Sequence, residues 1–592
     1  MHKEVMSGNE AVALGVYEAG VKVAAAYPGT PSTEILENVG AKYSKEIYCQ
    51  WACNEKVAVE IASGAAIGGV RSFAAFKHVG MNVATDPIFT MAYAGVNAGM
   101  VLLTADDPGC HSSQNEQDNR WYAVHAEMMM LEPADSQECK DFTMAAFDLS
   151  EKFDTPVLIR STTRVCHAKS VVEVGERKEV KPVPYVRNGG KYNMLPGVAR
   201  ARHAIREQLL IEAEEYANDC PFNRAEYSDG AKIGIVTSGI SYQYAREVFG
   251  DTASYLKLGL TFPMPRKLIS EFCSKFETIY VIEEGDPIIE NNLKQLGISC
   301  IGKAKIPLCG ELNAQIVREA LLGIPAGESY TVETEAPARA SVLCAGCPHR
   351  GFFFSLSKHL KEVVPVGDIG CYALGSAAPF NGFDYSICMG AGFSSLIGLS
   401  HALEDQGDSR KALGMMGDST FFHSGITSLI DIWTSEANAI CFVLDNSITG
   451  MTGHQENPGT SKNLMGQPSP VVDIPTVIRS IGVPEDRLRI VDPLDVPAVE
   501  QAIKDGCAVK GPFVVVTRRP CALIKEVARA NAGKYCKIDA EKCKSCKACM
   551  KIACPAMAFV DGKATIADPS SCTGCGLCMS QCKFGAIEKV GE

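Results

Sequence analysis

The last 57 residues of this chain hold two evenly spaced blocks of cysteine, and nothing else in the sequence narrows its possible folds as far. The blocks read Cys543-x2-Cys546-x2-Cys549-x4-Cys554-Pro555 and Cys572-x2-Cys575-x2-Cys578-x3-Cys582. Three thiolates two residues apart fit one tight loop around three irons of a cubane, and the fourth iron takes its thiolate from elsewhere. Zinc is the competing reading, because paired CxxC motifs bind it. Eight cysteines in two CxxCxxC triplets favour iron–sulfur clusters. Nine of the 25 cysteines fall in residues 536–592 and the rest are scattered. Scattered cysteines behave as small buried hydrophobes. So many thiols in a long chain indicate a reducing, cytoplasmic setting rather than a disulfide scaffold.

Composition excludes several classes. Hydrophobic residues make up 46% and charged residues 21% of 592, the balance of a globular protein with several cores. No apolar run approaches the length of a membrane span, and Met1-His2-Lys3-Glu4 does not open a signal peptide. A net charge of −12 argues against nucleic acid as a partner.

Before the tail, apolar strands alternate with helical patterns, which indicates parallel sheets covered on both faces. Strands are expected at 21–27, 47–51, 71–77, 100–105 and 156–160, with helices at 33–41 and 54–68. Residues 171–230 begin as a polar linker with Pro182, Pro184 and Gly189-Gly190, followed by a helix at 198–218. A second α/β segment has strands at 232–237, 254–258 and 278–283. A second linker is expected at 323–339. A third segment, from about 340 to 525, has strands at 412–416, 439–444 and 513–517.

The third segment carries the sharpest chemical signal. One strand ends in Gly417-Asp418-Ser419 and a later one in Asp445-Asn446. In a right-handed βαβ crossover, Asp418 and Asn446 both fall at carboxyl ends of parallel strands. Two hard oxygen side chains can there meet one Mg²⁺, with diphosphate oxygens filling other positions. Gly417 lets the backbone approach a ligand closely. The pattern resembles the thiamine diphosphate motif, with Ser419 where Gly is usual. By that resemblance Asp418, Asn446 and the carbonyl of Ile448 hold the metal. Upstream, Asn54-Glu55-x2-Ala58-x3-Ala62-x-Gly64-Ala65 matches the helix start that carries the activating glutamate of thiamine enzymes. A carboxylate beside pyrimidine N1′ favours the imino tautomer, whose nitrogen takes the proton from thiazolium C2. Glu60, one helical turn on, competes with Glu55 for that role.

The chain as a whole resembles the 2-oxoacid:ferredoxin oxidoreductases, and among them the large subunit of the arylpyruvate-acting branch. The carrying motifs are Tyr27-Pro28-Gly29-Thr30-Pro31-Ser32-Thr33-Glu34, Asn54-Glu55-Lys56, Phe76-Lys77-His78-Val79-Gly80-Met81-Asn82 and Ser112-Ser113-Gln114-Asn115-Glu116-Gln117-Asp118. They continue with Cys347-Pro348-His349-Arg350, Gly367-Asp368-Ile369-Gly370-Cys371-Tyr372, Asp445-Asn446 and Met451-Thr452-Gly453. The resemblance implies an α/β multidomain fold of transketolase-like, doubly wound sheets: a pyrimidine-binding domain (1–180), a transketolase C-terminal-like domain (195–330), a diphosphate- and Mg-binding domain (340–530) and a two-cluster ferredoxin-like α+β domain (534–592). It implies one [4Fe–4S] cluster on Cys543, Cys546, Cys549 and Cys582, and a second on Cys572, Cys575, Cys578 and Cys554. The first block has one residue more than usual before Cys554. The resemblance also places Gly367, Asp368, Cys371, Met389, Gly390, Gly417, Ser419, Met451 and Thr452 at the cofactor. It implies oxidative decarboxylation of a 2-oxoacid to an acyl-CoA, electrons leaving to an external ferredoxin, and a smaller β subunit in an αβ or α2β2 enzyme.

Other marked residues have two readings each. Thr30 either contacts substrate or caps the following helix. Lys77 and His78 either bind the 2-oxoacid carboxylate or lie at the surface, and Arg120 is either an anion anchor or a loop salt bridge. Cys344-x2-Cys347-Pro348-His349 reads as a cofactor-binding loop with His349 near the reacting centre, in preference to a metal site. Gly390 and Gly392 suit close packing at a helix start. Three rival functions stand beside the oxidoreductase: the same enzyme acting on another 2-oxoacid, a non-oxidative thiamine decarboxylase, and a non-catalytic electron-transfer subunit.

Overall fold

A computed structural model describes residues 2–325 and 340–591. The chain divides into two compact units, residues 1–333 and 334–592.

The first unit is built on a seven-stranded sheet. Its order is Leu260–Phe262, Met130–Leu131, Val157–Thr162, Met100–Asp106, Ser72–Lys77, Val23–Ala26, Tyr48–Trp51. All neighbours are parallel except the first pair. Met100–Asp106 is buried along its whole length, as a central strand covered on both faces must be. A four-stranded sheet follows, in the order Thr278–Ile282, Ile233–Ser238, Ala253–Leu258, Arg224–Glu226. The chain leaves this second sheet at Leu258 and two residues later adds Leu260–Phe262 to the first, so one polypeptide stretch stitches the two sheets.

One expectation needs correction. Residues 171–174 are not linker: Lys169–Val174 pairs antiparallel with His2–Ser7, because its β-branched valines alternate between a buried Val172 and an exposed Val171. Of the second expected linker, residues 326–339 lie outside the described residues.

The second unit holds a five-stranded parallel sheet, ordered Val363–Val366, Lys411–Gly417, Ala439–Asp445, Phe513–Arg518, Leu488–Val491. One apolar cluster covers one face of it and continues without a break into the tail, from Phe352 and Phe353 through Leu413 and Val515 to Ile552, Leu577 and Ile587. The other face packs on Phe393, Leu396 and Phe421. The tail adds two antiparallel ribbons, Tyr535–Ile538 with Ile587–Val590 and Met557–Val560 with Lys563–Ile566. Among the described residues, no helix is long and apolar enough to cross a membrane.

Candidate active site

Lys411–Gly417 and Ala439–Asp445 are adjacent parallel strands, Gly417 opposite Leu444. Asp418 and Asn446 therefore leave the sheet side by side at its carboxyl edge, where open α/β sheets bind ligands. Both are buried. Asp418 Oδ2 accepts from Ile448 N and Asn457 Nδ2, each at 3.1 Å. The amide oxygen of Asn446 faces Ile448 O at 2.9 Å and Asp418 Oδ1 at 3.0 Å. Turned over, the same amide donates to both and satisfies them. Neighbouring ligands of an octahedral Mg²⁺ at ~2.1 Å lie about 3.0 Å apart, and the two distances from Asn446 match that spacing. Burial, and then the charge of Asp445, push Asp418 up to about 7. A cation here would hold it ionised.

The loops around this edge are fixed from below. Asp368, wholly buried, accepts from Gly390 N and Gly392 N at 2.8 Å and from Ile369 N at 2.6 Å. It thus closes the amino end of helix Ala391–Asp405, and burial raises it to about 7. A Cβ on Gly392 would stand 2.6 Å from Met415 O, so only glycine lets this helix reach the strand. Gly367 is likewise pressed against the ring of Phe383. Met389 O accepts from Ser424 Oγ, Thr452 donates to Gln455, and Met451 is half exposed. Ser419 continues the helical turn Asp418–Thr420.

His349 starts helix His349–Leu356 and is buried edge-on to Tyr372, with ring centroids 5.8 Å apart. Burial lowers it to about 4, so the imidazole is neutral near pH 7. Tyr372 donates to Ile369 O at 2.8 Å and lies against Gly417, where a Cβ would be 2.9 Å from its ring. His349, Tyr372 and the Gly417-Asp418 turn form one packed series.

The tail cysteines face two cavities. Cys543, Cys546, Cys549 and Cys582 line one; Cys554, Cys572, Cys575 and Cys578 line the other. The residue inserted before Cys554 is absorbed at Ala553, which turns left-handed (φ 51°). All 25 cysteines are free thiols; the first cavity is lined by four of them and the second by six, Cys347 and Cys536 included, and four thiols suffice for an iron–sulfur cubane. The CxxC loop is joined to this arrangement: Ala345, Gly346, Cys347 and Arg350 close the second cavity. Two cysteines escaped the sequence reading. Cys536 lies beside Cys572 and Cys578, and its backbone N donates to Cys572 Sγ at 3.3 Å. Cys521, anchored through its N to Asn446 O, is close enough to Cys371 and Cys344 for their charges to affect one another. Neither has a local motif; each is brought in by the fold.

In the first unit, the marked residues gather at the carboxyl ends of its own parallel strands. Glu55 is the first residue of helix Glu55–Ile67, capped by Asn54, whose side chain accepts from Val57 N. Glu55 is buried, and Gly80 comes so close that a Cβ there would be 2.6 Å from its Oε1. Glu60 is exposed and paired with Lys56. Gly29 lies against Lys77. Lys77 donates to Ser112 O at 2.7 Å, and His78 meets Asn115 O at 3.1 Å. The surface reading fails for His78, which is wholly buried. The capping reading fails for Thr30: the N-cap of helix Thr33–Tyr43 is Ser32, and no side chain makes the cap bond. Arg120 makes the loop salt bridge, to Asp118, and is not an open anion anchor. It is 1% exposed and pairs with Asp118 at 2.5 Å and Glu283 at 2.6 Å, which ties the two sheets of this unit together. Against their burial, Arg120 and Arg160 hold Asp118 down to about 2.

Comparison with known proteins agrees with this geometry. Residues 14–210 match the family model "Pyruvate flavodoxin/ferredoxin oxidoreductase, thiamine diP-bdg", and residues 368–517 match "Thiamine pyrophosphate enzyme, C-terminal TPP binding domain". Residues 565–588 match "4Fe-4S binding domain". Fold and site thus define a thiamine-diphosphate-binding oxidoreductase that carries 4Fe–4S iron on its tail. The indolepyruvate oxidoreductase subunit IorA of Archaeoglobus fulgidus is 39% identical over 99% of this chain and 97% of its own length. That of Pyrococcus horikoshii is 37% identical over 100% and 97%. The 2-oxoglutarate synthase subunit KorA of Methanothermobacter marburgensis matches 30% of this chain at 29% identity. The chain belongs to the IorA family of indolepyruvate oxidoreductase subunits.

Proposed function

We propose that this chain is the thiamine-binding subunit of an indolepyruvate:ferredoxin oxidoreductase. With a smaller β subunit, as αβ or α2β2, it converts an arylpyruvate, CoA and two oxidised ferredoxins to arylacetyl-CoA, CO₂, two reduced ferredoxins and a proton. Asp418, Asn446 and the Ile448 carbonyl hold Mg²⁺ and through it the diphosphate. Thiamine, when bound, supplies the electron sink for decarboxylation. Glu55 holds a proton at the pyrimidine N1′ of the cofactor, and neutral His349 orients and shields the reacting carbonyl carbon. Two [4Fe–4S] clusters occupy the two cysteine cavities. The reading includes a reducing cytoplasm, which the free thiols support.

One observation carries the oxidative reading over simple decarboxylation. Ala345, Gly346, Cys347 and Arg350 line the second cysteine cavity, while His349 of the same loop packs through Tyr372 onto the Gly417-Asp418 turn. Decarboxylation chemistry and iron thus share one continuous piece of structure within one compact unit. The test is anaerobic assay of the reconstituted complex with CoA and a viologen dye, comparing indolepyruvate, phenylpyruvate, 4-hydroxyphenylpyruvate and pyruvate. Dye reduction led by the aryl substrates is expected. Aldehyde release without dye reduction would overturn the proposal.

A further inference from the structure

The two cysteine cavities differ in what closes them. Ala345, Gly346, Cys347 and Arg350 cover the second, and buried Arg350 fastens it, donating to Ile552 O at 2.9 Å, to Ala553 O, and to Cys344 O at 3.2 Å. The first is lined by tail residues alone, from Ile538 to Ile587, and one of its thiols, Cys546, is exposed. Its mouth is basic. Lys544 and Lys547 line it, and Lys542, Lys551 and Lys583 flank it, all five exposed. Residues 542–551 hold four lysines and no acid, in a chain of net charge −12. Lys542 pairs weakly with Asp539 at 3.5 Å, and Lys547 stands over the ring of Phe559 at 4.5 Å. Lys544, Lys551 and Lys583 have no acidic partner among the described residues. Phe584, 49% exposed, completes the lining.

Like charges gathered on one loop repel, and the single ion pair of Lys542 with Asp539 and the ring contact of Lys547 offset only part of that. Such a patch suits a partner of opposite charge, because complementary fields speed encounter and set orientation without demanding a large interface. Electron-transfer pairs form interfaces of this small, transient kind. An apolar residue amid the lysines gives the short-lived complex a desolvated contact.

We propose that the lysine rim around Cys546 is the docking surface for an acidic one-electron carrier protein of the small ferredoxin class. Phe584 is its apolar contact, and the second cavity faces inward. The proposal rests on the electron-transfer reading above. Each encounter moves one electron: the tail is oxidised by one, the carrier is reduced by one, and no proton or bond changes hands. Two encounters clear the two electrons of one 2-oxoacid.

The test uses the holoenzyme with its smaller subunit and, as probe, a small acidic 2[4Fe–4S] ferredoxin. Association and ferredoxin kcat/KM are measured beside methyl viologen turnover. Wild-type association is expected to weaken about tenfold as salt rises. The pair Lys542→Glu and Lys551→Glu should lower ferredoxin affinity and kcat/KM about tenfold or more. Viologen turnover and the visible absorption of the tail should hold, and the same reversal at exposed Lys504 should leave ferredoxin binding in place. If the pair loses that absorption, Lys583→Glu and the wild-type salt response decide. Ferredoxin affinity indifferent to salt and to these reversals would overturn the docking surface. So would retention of the holoenzyme by anionic lipid vesicles with no ferredoxin association. Absent viologen turnover in wild type would instead sink the proposed function, while the association arm still judges the surface.

Discussion

The two units treat the carboxyl edges of their parallel sheets differently. In the first, the loops bond chiefly to one another: Lys77 to Ser112, His78 to Asn115, Gly29 to Thr33. Behind them a buried ionic lattice locks the unit, with Arg120 on Asp118 and Glu283, and Arg160 on Asp106 and Glu132. In the second, no such buried lattice lies behind the strand ends among the described residues, and Asp418, Asn446 and the Ile448 carbonyl come together at one sheet edge. The first unit thus buries its charges chiefly in pairs, although His78 Nδ1, Asp106 Oδ1 and Glu132 Oε2 have no hydrogen-bond partner. The second gathers hard oxygen donors of the kind that hold a divalent cation.

Substitutions can break this contrast, and the most damaging is expected at Glu55. Glu55→Gln should lower turnover by about 10²–10⁴ while thiamine diphosphate still binds, because Glu55 is proposed to handle a proton rather than the diphosphate. Steady-state turnover and exchange of the thiazolium C2 proton measure this, and wild-type exchange would contradict it. Asp418→Ala should weaken Mg²⁺ and thiamine diphosphate together by about 100-fold or more, read by calorimetry; full cofactor content would remove the ligand assignment. The same site gives a pH dependence. With Asp418 pushed up to about 7 in the metal-free protein, a proton competes with the cation below that value. Mg²⁺ affinity should fall about tenfold per pH unit below 7 and level off above it.

In the first unit the sharper test is stability. Arg120→Met leaves Asp118 and Glu283 buried without their shared cation, at a cost of about 3–5 kcal/mol. Thermal unfolding of the first unit should shift down accordingly. An unchanged melting temperature would show that the lattice is not what holds its two sheets.

What was legible in the sequence follows the same physics. Long buried strands such as Met100–Asp106 and Ala439–Asp445 announce themselves as apolar runs. Asp418 and Asn446 stand out because a βαβ crossover fixes where strand-end residues fall. Short strands did not show. Met130–Leu131 has two residues, and Leu260–Phe262 continues a strand of the other sheet; both owe their state to a neighbour already in place. Arg120's loop partner Asp118 was legible, whereas its second partner Glu283, 163 residues away, was not. Cys521 and Cys536 lacked spacing to betray them, and only the fold brings them to their neighbours. Thr30's capping alternative fails because the helix starts at Thr33 with Ser32 as its N-cap, and sequence fixes such a start only to within a few residues.

The central claim is that electrons freed at the thiamine site pass into iron held by this chain's own cysteines. Rapid-freeze EPR tests it most directly: mix the anaerobic complex with indolepyruvate and CoA, without any external acceptor, and follow the iron signals in time. Reduced-cluster signals should rise in wild type at a rate compatible with turnover, fail to appear in Glu55→Gln, and change when Cys578 is replaced by alanine. Consumption of indolepyruvate while every cluster stays oxidised would contradict the account.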